Sequence, residues 1–391
     1  MIMNNFQSDE LPAIPAILQL AFRPFFLLSA SYAIWLLTRW SLTLMGVWPW
    51  HSDIALFSWH AHEFQFGFAI AVVLGFLLTA SQTWTGQPGI KGRGLLAVVA
   101  LWLIARIGMN LNSYGLWFSL FGDSSLLLIS AGVLLRMVLK SKNYKNLIFV
   151  PLLGIFLALH LAQIYAMFID NTALSKQLGY ATSWWFVLLI SLISSRVIPF
   201  FISRATAANI GSEPLAFTLT TQLLILAIFL QTLLNYSAGY EILLGLSLCA
   251  HLYRLYKWHH RQIWANPMLW SLWLSYAFLP LALITLLADS GYANAMHLIN
   301  VGFIASMIMA FTSRVSLGHT GREIVTSRLV LLAFICVISA ALSRGLLMIW
   351  LPPYSQLLMS VAAILWLVAL VSFVVNYLPI LTQPRLDGRP G

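Results

Sequence analysis

Long apolar stretches broken by short polar segments fill almost the whole chain. Runs of about 20 apolar residues, enough to cross a bilayer as a helix, lie near 24–46, 56–80, 93–111, 115–139, 147–169, 179–203, 214–234, 238–257, 264–287, 290–314, 327–350 and 355–380. They predict about twelve transmembrane helices in a single polytopic domain spanning residues 1–391. The runs are continuous rather than alternating, which argues against a β-barrel. The fold class expected is therefore an all-α integral membrane protein.

One pattern occurs twice inside this apolar background. Residues 62–86 read His62, Gly67-Phe68 and Thr85-Gly86; residues 297–321 read His297, Gly302-Phe303 and Thr320-Gly321, with identical spacing. Helix 6 carries Ser195-Arg196-Val197, which matches Ser313-Arg314-Val315 in helix 10. Helices 2, 6 and 10 are four apart, so the simplest account is three pseudo-repeats of four helices, at 20–140, 147–257 and 264–380. Repeat architectures place function at the interface between repeats.

Composition reinforces the membrane reading: 60% of the residues are hydrophobic and 8% charged, against about 25% charged in a soluble domain. The net charge of +10 is spread over short loops, so no nucleic-acid partner is expected. Lys91, Arg93, Arg136, Lys140, Lys142, Lys145, Arg204, Arg254, Lys257, Arg261, Arg322 and Arg328 all follow even-numbered helices. The positive-inside rule then puts both termini in the cytoplasm, and His62 and His297 in the outer half of the bilayer.

Chemistry-bearing residues are few. Trp59-His60-Ala61-His62-Glu63 opens helix 2. At about 100° per residue, His60 and His62 point some 200° apart and serve opposite faces rather than one ion. Glu63 stands three residues after His60 and is placed to orient it. His160 in helix 5 lies at the same level as His60, His62 and His297. Imidazole suits haem iron and copper alike. A haem shared by His62 and His297 between helices 2 and 10 is the expected arrangement, with copper near His60 and His160. Arg106 and Arg344 sit deep in helices 3 and 11, where an arginine requires an anionic partner. Asp53, Glu63, Asp123 and Asp289 are the acids nearby, and haem propionates are a further source of carboxylate. His319 lies at the opposite end of helix 10, open to a second metal site, a proton path or loop structure. No phosphate-binding loop, dinucleotide fingerprint or CxxC motif is present, which removes support for nucleotide-driven transport.

Phe22-Arg23-Pro24-Phe25-Phe26, the Trp59–Glu63 run, Gly75–Ala80 with Trp84-Thr85-Gly86, Arg196–Phe201 and Ser316–Arg322 together resemble the NnrS family, as does Pro384-Arg385-Leu386-Asp387-Gly388 near the end. The resemblance implies a bacterial inner-membrane protein of about twelve helices containing haem and copper. It also implies a role in the response to nitric oxide and nitrosative stress, with the biochemical activity and any electron donor left open. The four-helix triplication is similar, as architecture, to haem–copper oxidases and nitric oxide reductases, though their histidines fall on other helices. A nitric oxide reductase-like oxidoreductase is one reading. A proton-coupled secondary transporter and a non-catalytic sensor of haem or nitric oxide are the others.

Overall fold

A computed structural model describes residues 14–206 and 208–388. Among these every element is helical. We number the long helices α1 Phe22–Leu44, α2 Leu56–Thr85, α3 Gly92–Met109, α4 Leu116–Ser141, α5 Phe149–Phe168, α6 Thr172–Ala205, α7 Leu215–Leu234, α8 Tyr240–Trp258, α9 Pro267–Leu287, α10 Tyr292–His319, α11 Arg328–Trp350 and α12 Ser355–Thr382. Eleven of these spans are long and apolar enough to cross a membrane. The remaining one, α8, carries Glu241, His251, Arg254 and Lys257 within 19 residues, which lowers its hydropathy. The chain is thus an all-α, multi-pass membrane protein of about twelve helices.

Burial separates an inner group from an outer one. The apolar windows of α2, α10 and α6 are 89%, 78% and 72% buried, the three highest values among the eleven spans. Every fourth helix is therefore central, and the others wrap it. Helix α1 packs on both α2 and α12, which closes the ring.

The duplicated sequence pattern has a physical meaning in each copy. Both helices switch to wider π-helical turns directly after the histidine, over Glu63–Ala69 and Leu298–Ala305. Such turns recur at functional sites because they re-aim the side chains that follow. The glycine inside each turn accepts a close neighbour: a Cβ on Gly67 would stand 2.7 Å from the Tyr32 ring, and one on Gly302 2.5 Å from Phe278. Gly86 and Gly321 end the helices with φ of +64° and +69°, a left-handed turn that glycine adopts without strain. Thr85 and Thr320 bond back to Ser81 and Ser316, at 2.6 and 2.7 Å.

The Arg23-Pro24 and Pro384–Gly388 motifs fasten the opposite end. Arg23 donates to the carbonyls of Leu381 and Gln383 at the end of α12, at 2.9 and 2.7 Å. Arg385 donates to the carbonyl of His319 at 2.8 Å. The His319 ring lies 5.6 Å from Phe22. His319 thus belongs to the clasp that ties the end of α10 to the segment after α12, away from the other histidines.

Candidate metal centre

His62 is the last residue of the regular α-helical turn of α2, just before the π-helical segment. Its side chain is fully buried. Nδ1 lies 2.9 Å from a carboxylate oxygen of Glu63. A carboxylate only accepts, so Nδ1 carries the proton and Nε2 presents its lone pair. That Nε2 stands 3.1 Å from Nδ1 of His160, reached across the bundle from α5.

Asp123 of α4 completes the group. Ligand atoms of His62, Asp123 and His160 all fall within 4.8 Å of one another, and all three residues are buried. One oxygen of Asp123 has no hydrogen-bond partner, nor does Nε2 of His160. Ligands about 2.0–2.1 Å from an ion, at right or tetrahedral angles, are roughly 2.9–3.4 Å apart. The two imidazole nitrogens already have that spacing.

Charge points the same way. Arg106 of α3 pairs with both Glu63 and Asp123. Tyr32 of α1 donates its hydroxyl to the other oxygen of Glu63, and Ser119 donates to Asp123 at 3.3 Å. One guanidinium faces two carboxylates, so a second positive charge, either a bound cation or a proton on Asp123, is needed to balance the pair. In a buried site an unmatched charge costs several kcal/mol, and a bound cation would remove that cost.

The 200° between His60 and His62 is realised as two separate environments. The His60 ring is stacked on Trp40 at 3.8 Å between centroids and packs edge-on to Phe64. His297 donates Nδ1–H to the carbonyl of Ala293 at 2.7 Å, which leaves Nε2 as its free lone pair. Arg344, in a π-helical turn of α11 (Leu342–Leu347), donates to Asn294 at 3.3 Å and approaches the Met348 sulfur at 3.2 Å. The structure therefore groups His62 with His160 and, through Glu63, with Arg106, sets His60 apart between Trp40 and Phe64, and places His297 and Arg344 together around the first turns of α10. Glu63 orients His62, not His60: in the first turns of α2 it lies against Arg106 and Tyr32 on the His62 side.

A family model described as NnrS protein matches residues 16–385. The chain belongs to the NnrS family. No curated protein and no solved structure matches it. For this NnrS-family chain, sequence reasoning named both imidazoles of the cluster but counted Asp123 only as an acid near the arginines. Its position in α4, facing Arg106 of the preceding helix, was the available signal. Ser119 stands four residues before it on the same face. Tyr32 gave no signal, being one aromatic among many.

Proposed function

We propose that this is a metal-containing membrane protein of the nitric oxide response, with an ion held by His62 through Nε2, His160 and Asp123. The observation that carries the reading is the 3.1 Å approach of two buried imidazole nitrogens beside a half-unpartnered carboxylate. Two nitrogens and an oxygen suit copper, zinc or non-haem iron, and family membership favours copper. Bound there, copper would supply a one-electron centre able to ligate nitric oxide. The chain's own residues do the rest. Glu63 fixes the tautomer and orientation of His62, the arrangement by which a ligating histidine is made more basic. Arg106 spaces the two carboxylates, and Tyr32 holds Glu63 in place.

The family also implies haem, which would draw on imidazoles outside this cluster. His297 and His60 are the residues we assign to it, because Nε2 of His297 is free and Nδ1 of His60 is buried without a partner. Arg344, which has no carboxylate partner among the described residues, would meet a propionate. We further place the protein in a bacterial inner membrane, the cations of its even-numbered loops facing the cytoplasm.

Metal analysis of protein purified without chelators tests the reading. About one equivalent of copper or another transition metal beyond haem iron is expected per chain, since binding requires the complete ligand set. That metal is lost in His62→Ala and His160→Ala and retained in Cys249→Ser. Wild-type protein without that metal, or His62→Ala and His160→Ala variants that keep it, would overturn the assignment.

A further inference from the structure

A second buried polar cluster lies at the other end of the bundle, among α6, α7, α8 and α9. Arg254, His251, Tyr276, Ser191 and Thr221 are all fully buried there. Arg254 donates from Nε and Nη2 to both oxygens of Glu213, in the segment before α7, at 2.8 Å each. Its remaining bonds go to Ser191 and Tyr276, at 2.8 and 2.7 Å, and to Thr221 at 2.8 Å. Every nitrogen of the guanidinium is used and its charge is matched, so this is not an anion site.

The arrangement fixes a direction for the hydroxyl protons. Arginine only donates, so the oxygens of Ser191 and Tyr276 are both acceptors toward it. Gln222 adds a second donor to Ser191 at 3.2 Å. The Ser191 proton must then point onward, and Tyr276 is its neighbour at 3.3 Å. Tyr276 in turn points its proton at Nδ1 of His251, 2.9 Å away. With Nδ1 accepting, a neutral His251 carries its hydrogen on Nε2. That atom is buried and has no hydrogen-bond partner among the described residues. A buried donor without an acceptor costs about 1–3 kcal/mol, a cost relieved when a water or a proton acceptor stands beside it.

Other polar side chains on the same helices are buried as well. Ser247, His251 and Arg254 stand at i, i+4 and i+7, one stripe along α8. The hydroxyls of Ser247, Ser194 on α6, and Ser271 and Ser275 on α9 are likewise buried and unpartnered. Side chains of this kind have no packing advantage over alanine in an apolar bundle. They suit a file of buried waters. His251 is seven residues from the end of α8, roughly 10 Å into the bundle from the basic-loop face. Ionisable groups inside membrane helices mark ion and proton pathways.

We propose that Ser191, Tyr276 and His251 form a proton-uptake relay entered from the basic-loop face, with Arg254 and Glu213 as positioning residues. Each transfer is balanced. Ser191 takes a proton from a water that replaces the Gln222 amide as its second donor, and passes its own to Tyr276. Tyr276 passes its own to Nδ1 of His251, and Nε2 releases its proton inward. The imidazole returns by tautomer exchange as the next proton arrives. The relay delivers one proton to a buried base for each electron that the metal centre takes up, so that no net charge is added inside the bundle, and to that extent it rests on the reading above.

Two measurements test it. In the first, metal-loaded protein in proteoliposomes is reduced chemically while a pH indicator is confined to the basic-loop side. Wild type takes up protons from that side. Tyr276→Phe, which keeps the ring, and His251→Leu slow the uptake at least tenfold while the metal spectrum and extent of reduction are unchanged. Uptake from the opposite face, or equal rates in all three proteins, overturns the relay while leaving the metal site standing. A protein that shows no reducible metal spectrum fails the earlier reading instead. The second measurement needs no metal: nitrogen-15 NMR of labelled histidine in the membrane-embedded protein. His251 is expected as the Nε2–H tautomer, with Nδ1 hydrogen-bonded and that bond lost in Tyr276→Phe. An Nδ1–H tautomer in the wild type overturns the proposal.

Discussion

At the scale of single residues, the centre depends on Glu63, a carboxylate that touches no metal ligand atom other than through His62. It accepts from His62 Nδ1, Arg106 and Tyr32 at once. Replacing the carboxylate by an amide removes the charge that fixes the imidazole tautomer. Glu63→Gln is expected to lower metal affinity about 10- to 100-fold, the usual effect of losing such an orienting group. A competition titration against a chelator of known strength measures it. Affinity equal to wild type would show that His62 is oriented by something else. The sequence placed Glu63 beside His60 because residues three apart share a helix side. The adjacent residue was chosen instead because Arg106 and Tyr32 converge on the His62 side, a contact between helices that no spacing rule contains.

At the scale of elements, what matters is how α2 and α10 are built. Each runs from a histidine through a π-helical turn containing glycine to a left-handed glycine stop. The glycine in the turn lets a neighbouring helix approach closely. A methyl group on Gly67 would meet Tyr32 at 2.7 Å and a nitrogen of Arg106 at 2.9 Å, two groups that hold the site. On Gly302 it would meet the Phe278 ring and its Cβ at 2.5–2.8 Å, where the side chain cannot swing away. Gly67→Ala and Gly302→Ala should each cost about 1–3 kcal/mol through overpacking, read as a lower melting temperature in detergent. Gly67→Ala should also weaken metal binding, whereas a variant that melts and binds like wild type would mean the close approach is not required. Eleven of the spans were legible in the sequence because apolar length alone sets them, and α8 is the one that carries charged residues as well. The π-helical turns were not, since no residue type or spacing marks them. Nor was the inner cluster: Arg254 reads as a topology charge and His251 as an isolated polar residue. The bonds that join them to Tyr276 and Ser191 link three different helices.

At the scale of the whole molecule, the first turn of α1, the end of α12 and the end of α10 meet on one face of the bundle. The Arg23, Arg385 and His319 clasp fastens that face by tying both ends of the described chain to the end of α10. Thiol labelling in intact cells checks the orientation after both native cysteines are replaced. A cysteine from Val47→Cys is expected to react with an impermeant reagent, and those from Lys142→Cys and Lys257→Cys to react only after lysis. The reverse pattern would invert the topology and move the metal centre to the other side. The candidate ion site draws on α2, α4 and α5, and the proposed proton relay on α6, α8 and α9. The heavily buried α6 packs against α2 and reaches both: Gln65 of α2 bonds Ser183 at 3.1 Å, and Ser191 belongs to the inner cluster.

The account turns on whether His62 and His160 share one ion. X-ray absorption at the metal edge of the purified protein measures this directly. Two imidazole nitrogens and one oxygen at about 2.0–2.1 Å are the predicted inner scatterers, with one imidazole missing from any metal retained by His160→Ala. A spectrum without imidazole scattering, or one that His160→Ala leaves unchanged, would contradict the account.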